Sequence, residues 1–287
     1  MTVDIINQTI RAMCLEVKAQ ASATQNWRLM GEEEFLYETA ICIFGSQMVF
    51  EMAVATADRL RERELLQPEP HGRSVQAIER KLVAALSDPL LVPACDGTQR
   101  WVRPRFKYRL ASLLAKTIVE IYGQSRTIHG ILFDARTARE AREILMQHVW
   151  GFGPKQASLF LRRVGYCADL AVLDVHVLDY LQLAHGLSLS PSKLGRLSHY
   201  EEIEDTFREI AGEFGHSIGC VDLATWLTMR VAKREAFPVL CSSRHWLPLL
   251  ARILKRYAVG SSLIEHGNGD ERNGNHLGLA RQEIRTR

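Results

Sequence analysis

Residues 149–181 read VWGFGPKQASLFLRRVGYCADLAVLDVHVLDYL. The stretch begins where a helically periodic segment, 137–148, stops. A short turn, Gly151-Phe152-Gly153, follows, and Pro154-Lys155 opens a new helix expected over 155–164. Proline suits a first helical turn, where its missing N–H would have had no partner. The two glycines permit positive φ and close approach of a ligand to the backbone. Amide groups at such a turn, joined to a helix N-terminus, can hold a phosphate. Helix, Gly-x-Gly turn and helix together form a helix–hairpin–helix, although many αα-hairpins carry glycine for turning alone. Downstream, Asp174 is a good N-cap for a helix over 175–184.

Working outward, helical spacing dominates. Apolar residues recur with that period over 33–63, with Phe35, Leu36, Ala40, Ile43 and Phe44 on one face. Pro68, Pro70 and Gly72 break the chain, a helix is expected over 74–86, and a loop through Pro89, Pro93 and Gly97 follows. Further helices are expected over 107–122, 200–214, 222–230 and 246–257. Runs of period two are nearly absent, so the expected fold class is all-α. The division expected is a helical core over 1–236, a basic amphipathic helical extension over 237–264 and a polar, disordered tail over 265–287.

Composition bounds the function. Of 287 residues, 47% are hydrophobic and 24% charged, the profile of an ordinary globular chain. No stretch approaches the roughly 20 uninterrupted apolar residues of a membrane span, and the N-terminus lacks the pattern of a secretory signal. Six scattered cysteines with no CxxC argue against a structural zinc or iron–sulfur site and for a reducing, cytoplasmic setting. The net charge of +3 says little, but six basic and no acidic residues lie between Arg100 and Lys116, Arg105 among them. Such a patch can neutralise phosphates and can equally be a solvated helix face.

The hairpin and the segment after it resemble the helix–hairpin–helix DNA glycosylase superfamily, whose hairpin reads Gly-x-Gly-x-Lys and whose catalytic aspartate follows in Leu-Asp-x-His. Here those positions are Gly151, Gly153, Lys155, Asp174 and His176. The chain is most similar to the 8-oxoguanine glycosylase branch of short archaeal and bacterial type. GFGPKQASLFLRRVGY matches its hairpin, EEEFLYETAICIFGSQ its early helix and loop, and IEDTFREIAGEFGHSIGCVDLATWLTMR its C-terminal segment. The resemblance covers roughly residues 31–230.

That resemblance implies two helical subdomains with the active site in the cleft between them. The N-terminal helices would pack with the C-terminal part, and the hairpin subdomain would span about 105–190. It implies that Lys155 attacks the sugar C1′ and forms a Schiff base, for which its amine must be neutral. Without the motif, Lys155 is an ordinary surface lysine. Asp174 would stabilise the cationic sugar transition state and help move protons, which is compatible with its capping a helix. Gly151, Gly153 and His176 would contact the phosphate backbone, Arg105 would lie on DNA, and Gln47 would enter the space left by the flipped base. Asp222 and Trp226, one helical turn apart, would face that base. His176 and Trp226 could each be core instead, and Gln47 a plain loop residue.

The implied partner is double-stranded DNA containing a modified base, bound by a monomer in the cytoplasm, at the nucleoid of a prokaryote. No organic cofactor and no iron–sulfur cluster is implied, with a monovalent cation at the hairpin backbone as the one ion allowed for. The chain departs from the short branch by running 57 residues beyond Arg230. That keeps other substrates open, such as a bulky phage-type base removed in defence, alongside an inactive DNA-binding module. Retention of both Lys155 and Asp174 argues against the last.

Overall fold

The computed structural model describes residues 2–21, 26–68, 74–93, 98–190 and 194–235. The expected extension over 237–264, its helix over 246–257 and the tail over 265–287 lie outside the described residues. In chain order the helices are α1 (Val3–Ala21), α2 (Glu32–Gly45), α3 (Phe50–Glu62), α4 (Val75–Ser87), α5 (Lys107–Tyr122), α6 (Ile128–Asp134), α7 (Ala138–His148), α8 (Pro154–Arg163), α9 (Val175–His185), α10 (Leu197–Glu213) and α11 (Ile218–Glu235). The all-α expectation holds, with one addition. Where a loop was expected, β1 (Leu90–Pro93) pairs antiparallel with β2 (Gln99–Val102). The expected periodic run over 33–63 is divided between α2 and α3 by a turn at Ser46–Val49. None of the described helices is long and apolar enough to cross a membrane.

Two apolar cores organise these elements. The first takes its buried residues from Trp27 through Leu170 and so includes α2 to α8. The second joins α1, through Ile6, Ile10, Met13, Cys14 and Val17, to α9, α10 and α11. The chain thus leaves its first helix in one core, builds the other, and returns. The expected hairpin subdomain of about 105–190 is divided: α5 to α8 share the first core with α2, whereas α9 belongs to the second. The reason is the apolar content of α9, whose Val177, Leu178, Tyr180 and Leu181 pack into the second core.

Ion pairs join the two cores. Arg142 of α7 and Glu204 of α10, both fully buried, lie 2.9 Å apart, and Arg142 also meets Glu201 at 2.6 Å. Arg162 of α8 pairs with Asp222 of α11, and Arg230 of α11 reaches Glu51 of α3 at 2.7 Å. Removing one partner of such a buried pair typically costs roughly 3–5 kcal/mol, because the other charge is left uncompensated.

Candidate functional site

The hairpin turn is held from below by α5. Val149 closes α7 by donating its N–H to Leu145 O at 2.8 Å, and Trp150 N–H donates to Thr117 Oγ1 at 2.9 Å. Phe152 is buried beside Phe160, and its N–H returns to Val149 O at 3.1 Å. Gly151 sits at φ +93°, and a Cβ there would lie 3.0 Å from a Leu113 methyl group. Gly153 differs. Its φ of −109° is open to any residue, and a Cβ would meet no atom of the described residues within 4 Å. The packing of the described residues therefore does not call for glycine at 153. Glycine there leaves the N-terminus of α8 bare on the outside, where a phosphate or other group can come close to the backbone.

Pro154 and Lys155 form the first turn of α8. Lys155 is half-buried, and its charge reaches the buried Cys42 thiol of α2, partly opposing the rise that burial imposes on that thiol. Asp174 caps α9: its Oδ1 accepts from His176 N–H at 2.8 Å and from Val177 N–H at 3.2 Å. Both bonds fall on one oxygen, so the carboxylate sits at the N-terminus of α9.

The residues just before Asp174 form no regular structure, yet their amides are taken up in succession. Ala171 N–H donates to Glu204 Oε1 at 2.9 Å, Val172 N–H to Asp222 Oδ1 at 3.0 Å, and Leu173 N–H to the Tyr200 hydroxyl at 3.1 Å. That hydroxyl in turn donates to Ala171 O at 2.8 Å.

Asp222 is expected to face the flipped base; its carboxylate is buried, with Oδ2 bound by Arg162 and Oδ1 by the Val172 amide. Burial pushes its pKa up to about 6; Arg162 and the Val172 amide oppose the rise, and the Asp174 charge adds to it. Trp226, half-buried on α11, meets the His176 ring edge-on at 6.3 Å between centroids, and the Arg230 guanidinium lies 4.8 Å from its ring centre. Gln47 is half-exposed in the turn between α2 and α3, four residues before Glu51, the partner of Arg230. Among the described residues, no group of three or more His, Cys, Asp or Glu side chains is arranged to hold a metal ion.

Arg105 is exposed at the foot of α5, with Arg103, Arg109 and half-buried Lys107 around it. What charge counting misses is the aromatic content of the same patch. Trp101, Phe106 and Tyr108 are all more than half exposed, and Trp150 nearly so. Phe106 holds the left-handed conformation, φ +58°, an uncommon state for a bulky residue. Lys107 lies over Tyr108, and Lys116 over Trp150 at 4.9 Å, which carries the patch up to the hairpin turn. The signal stands in the sequence as WVRPRFKYR, residues 101–109, where aromatic and basic residues interleave.

Residues 99–216 match the family model described as 8-oxoguanine DNA glycosylase. A curated 8-oxoguanine DNA glycosylase/AP lyase of Metallosphaera sedula is 40% identical over 126 residues, covering 42% of this chain and 57% of that protein. One of Thermoplasma volcanium is 38% identical over 124 residues, covering 42% and 56%. The chain thus matches somewhat over half the length of these relatives. Among solved structures, the 8-oxoguanine DNA glycosylase of Thermotoga maritima superposes with a TM-score of 0.57 at 21% identity, over 78% of this chain and 95% of that one. A Methanocaldococcus jannaschii 8-oxoguanine glycosylase/lyase, in complex with a 15mer DNA containing 8-oxoguanine, superposes with a TM-score of 0.58 at 20% identity, over 83% and 100%. These two likenesses establish the fold. The hairpin of Lys155 and the helix cap of Asp174 both lie inside the matched segment, so residues 99–216 are similar to the 8-oxoguanine DNA glycosylases in the part of the chain that holds both.

Proposed function

We propose that this protein is a DNA glycosylase and AP lyase that extrudes 8-oxoguanine from duplex DNA and removes it. The observation that carries the reading is the placement of Lys155 in the first turn of the hairpin's second helix, together with Asp174 capping the next helix. The names of the relatives support the substrate.

In the reaction, the neutral Lys155 Nζ forms a bond to C1′ as the bond from C1′ to the base nitrogen breaks. The bonding electron pair leaves with the base, which takes up the proton shed by the amine. Opening of the sugar ring then gives the imine. Positive charge builds on the sugar as the base departs, and the Asp174 carboxylate stabilises it. The bare Gly153 amide surface and the first turn of α8 hold a backbone phosphate. Arg105, the neighbouring basic side chains and the exposed aromatics extend the duplex contact toward β2. Every step uses side chains of this chain, and we propose that the protein acts as a monomer without an organic cofactor.

The test is borohydride reduction on a duplex with 8-oxoguanine at one position. The wild type should give a covalent protein–DNA adduct, because the imine is reducible. Lys155→Gln should abolish both adduct and base release while duplex binding persists. Undiminished trapping in that variant would show another amine to be the nucleophile. Running undamaged guanine and a bulkier modified base in parallel decides the substrate, since faster release of the bulkier base overturns 8-oxoguanine.

A further inference from the structure

Lys155 and Asp174 must act on one sugar carbon, yet they stand on helices that belong to different cores. Lys155 opens α8 in the first core, and Asp174 opens α9 in the second. Between them lies the irregular stretch 170–173, which has no strand or helix of its own to fix it. Buried amides without a regular partner must find side chains. Here three in succession do so, at Glu204, Asp222 and Tyr200.

The two acids have a second engagement. Glu204 is bonded by Arg142 of α7 and Asp222 by Arg162 of α8, the two helices of the hairpin. Arg142 also donates to Ser158 of α8 at 3.2 Å, and its guanidinium lies 5.3 Å from the Tyr200 ring centre. A continuous line of interactions therefore runs from the hairpin, through arginine and carboxylate, to the backbone that presents Asp174. Stability alone does not call for such an arrangement, since well-packed apolar residues often serve a buried site as well as an ion pair does. What ion pairs and hydrogen bonds add is direction, because their geometry is far narrower than that of apolar contact.

We propose that the Arg142–Glu204 and Arg162–Asp222 pairs, with the Tyr200 hydroxyl, are a positioning frame that holds Asp174 in register with the Lys155 hairpin for base release. The proposal rests on the glycosylase reading. None of these side chains needs to touch the substrate. A displacement of Asp174 of about 1 Å is enough to cost as much as 100-fold in rate.

Two substrates separate this role from a merely structural one. On an intact 8-oxoguanine duplex, base release needs both Lys155 and a well-placed Asp174. On a duplex with a preformed abasic site, the sugar already offers an aldehyde. Amine condensation there loses only water and develops no sugar cation, so it depends on Lys155 alone. Tyr200→Phe, which removes one hydroxyl, and Asp222→Asn, which keeps an acceptor for the Val172 amide, should each slow single-turnover base release about 10-fold or more. Borohydride trapping on the abasic duplex, and affinity for it, should stay within about 3-fold of wild type. Asp222→Ala, which removes the acceptor as well, should be slower than Asp222→Asn. Parallel loss of base release and trapping in Tyr200→Phe, or unchanged base release in both Tyr200→Phe and Asp222→Asn, overturns the frame. A wild type inactive on both duplexes overturns the glycosylase reading itself, and the frame with it.

Discussion

Gly151 and Gly153 flank one phenylalanine in one turn and are glycine for different reasons. At Gly151 the backbone is left-handed and Leu113 presses on the missing Cβ, so alanine there should destabilise the fold by about 1–3 kcal/mol. At Gly153 the backbone is extended and the space is open, so alanine should shift stability by no more than about 1 kcal/mol, near the modest difference between residues at an N-cap. Its cost should instead fall on duplex affinity, because a methyl group would stand on the amide surface offered to phosphate. Urea denaturation and duplex titration of the two variants check both halves of this expectation. Equal affinity of Gly153→Ala and wild type would leave Gly153 without a role at the DNA.

Single positions also show where sequence reading stops. Lys155 and Asp174 are legible because their neighbours, a Gly-x-Gly turn and a helix start, are local. Asp222 is not. Its spacing to Trp226 puts both on one helical face, but Arg162 reaches it from another helix, sixty positions away, and no spacing within α11 announces that.

Among the elements, α5, α8 and α9 lie within a residue or two of where periodicity and capping place them. The break between α2 and α3 falls at the Gly45-Ser46-Gln47 loop that the resemblance implies, although apolar spacing alone continues across it. The β1–β2 hairpin is missed for a different reason. Each strand has four residues, too few for alternation to stand out, and the outward pair Leu91 and Trp101 is apolar yet exposed. The α1 stripe of Ile6, Ile10, Met13, Cys14 and Val17 is visible in the sequence once that segment is read for helical spacing. At this scale the foot of α5 makes a prediction of its own. Replacing Arg103, Arg105 and Lys107 together by glutamine should weaken binding across sequences alike. It should also flatten the dependence of log affinity on log salt, by about 0.9 for each phosphate no longer neutralised. An unchanged slope would make the patch a solvated face.

At the scale of the whole molecule, α1 completes a core assembled mainly from helices near the other end of the described chain. Ile10 is fully buried there, so Ile10→Ala should lower the free energy of unfolding by roughly 2–5 kcal/mol. Chemical denaturation monitored by helical circular dichroism measures it. If the two cores unfold together through their shared ion pairs, the loss should appear in a single transition. Two transitions would show that the first core survives without the second.

The placement of α1 has a further consequence during synthesis. The first core is continuous in sequence and can close as soon as its own helices have left the ribosome. The apolar stripe of α1 emerges before any of them, and its main partner α11 emerges after them all. At about 5–20 residues per second, roughly 10–40 seconds separate the two. Through that interval an amphipathic helix stays tethered to a folding domain with its greasy side uncovered. Nascent chains therefore expose the apolar stripe of α1 to chaperones and to one another until the arrival of α11 covers it.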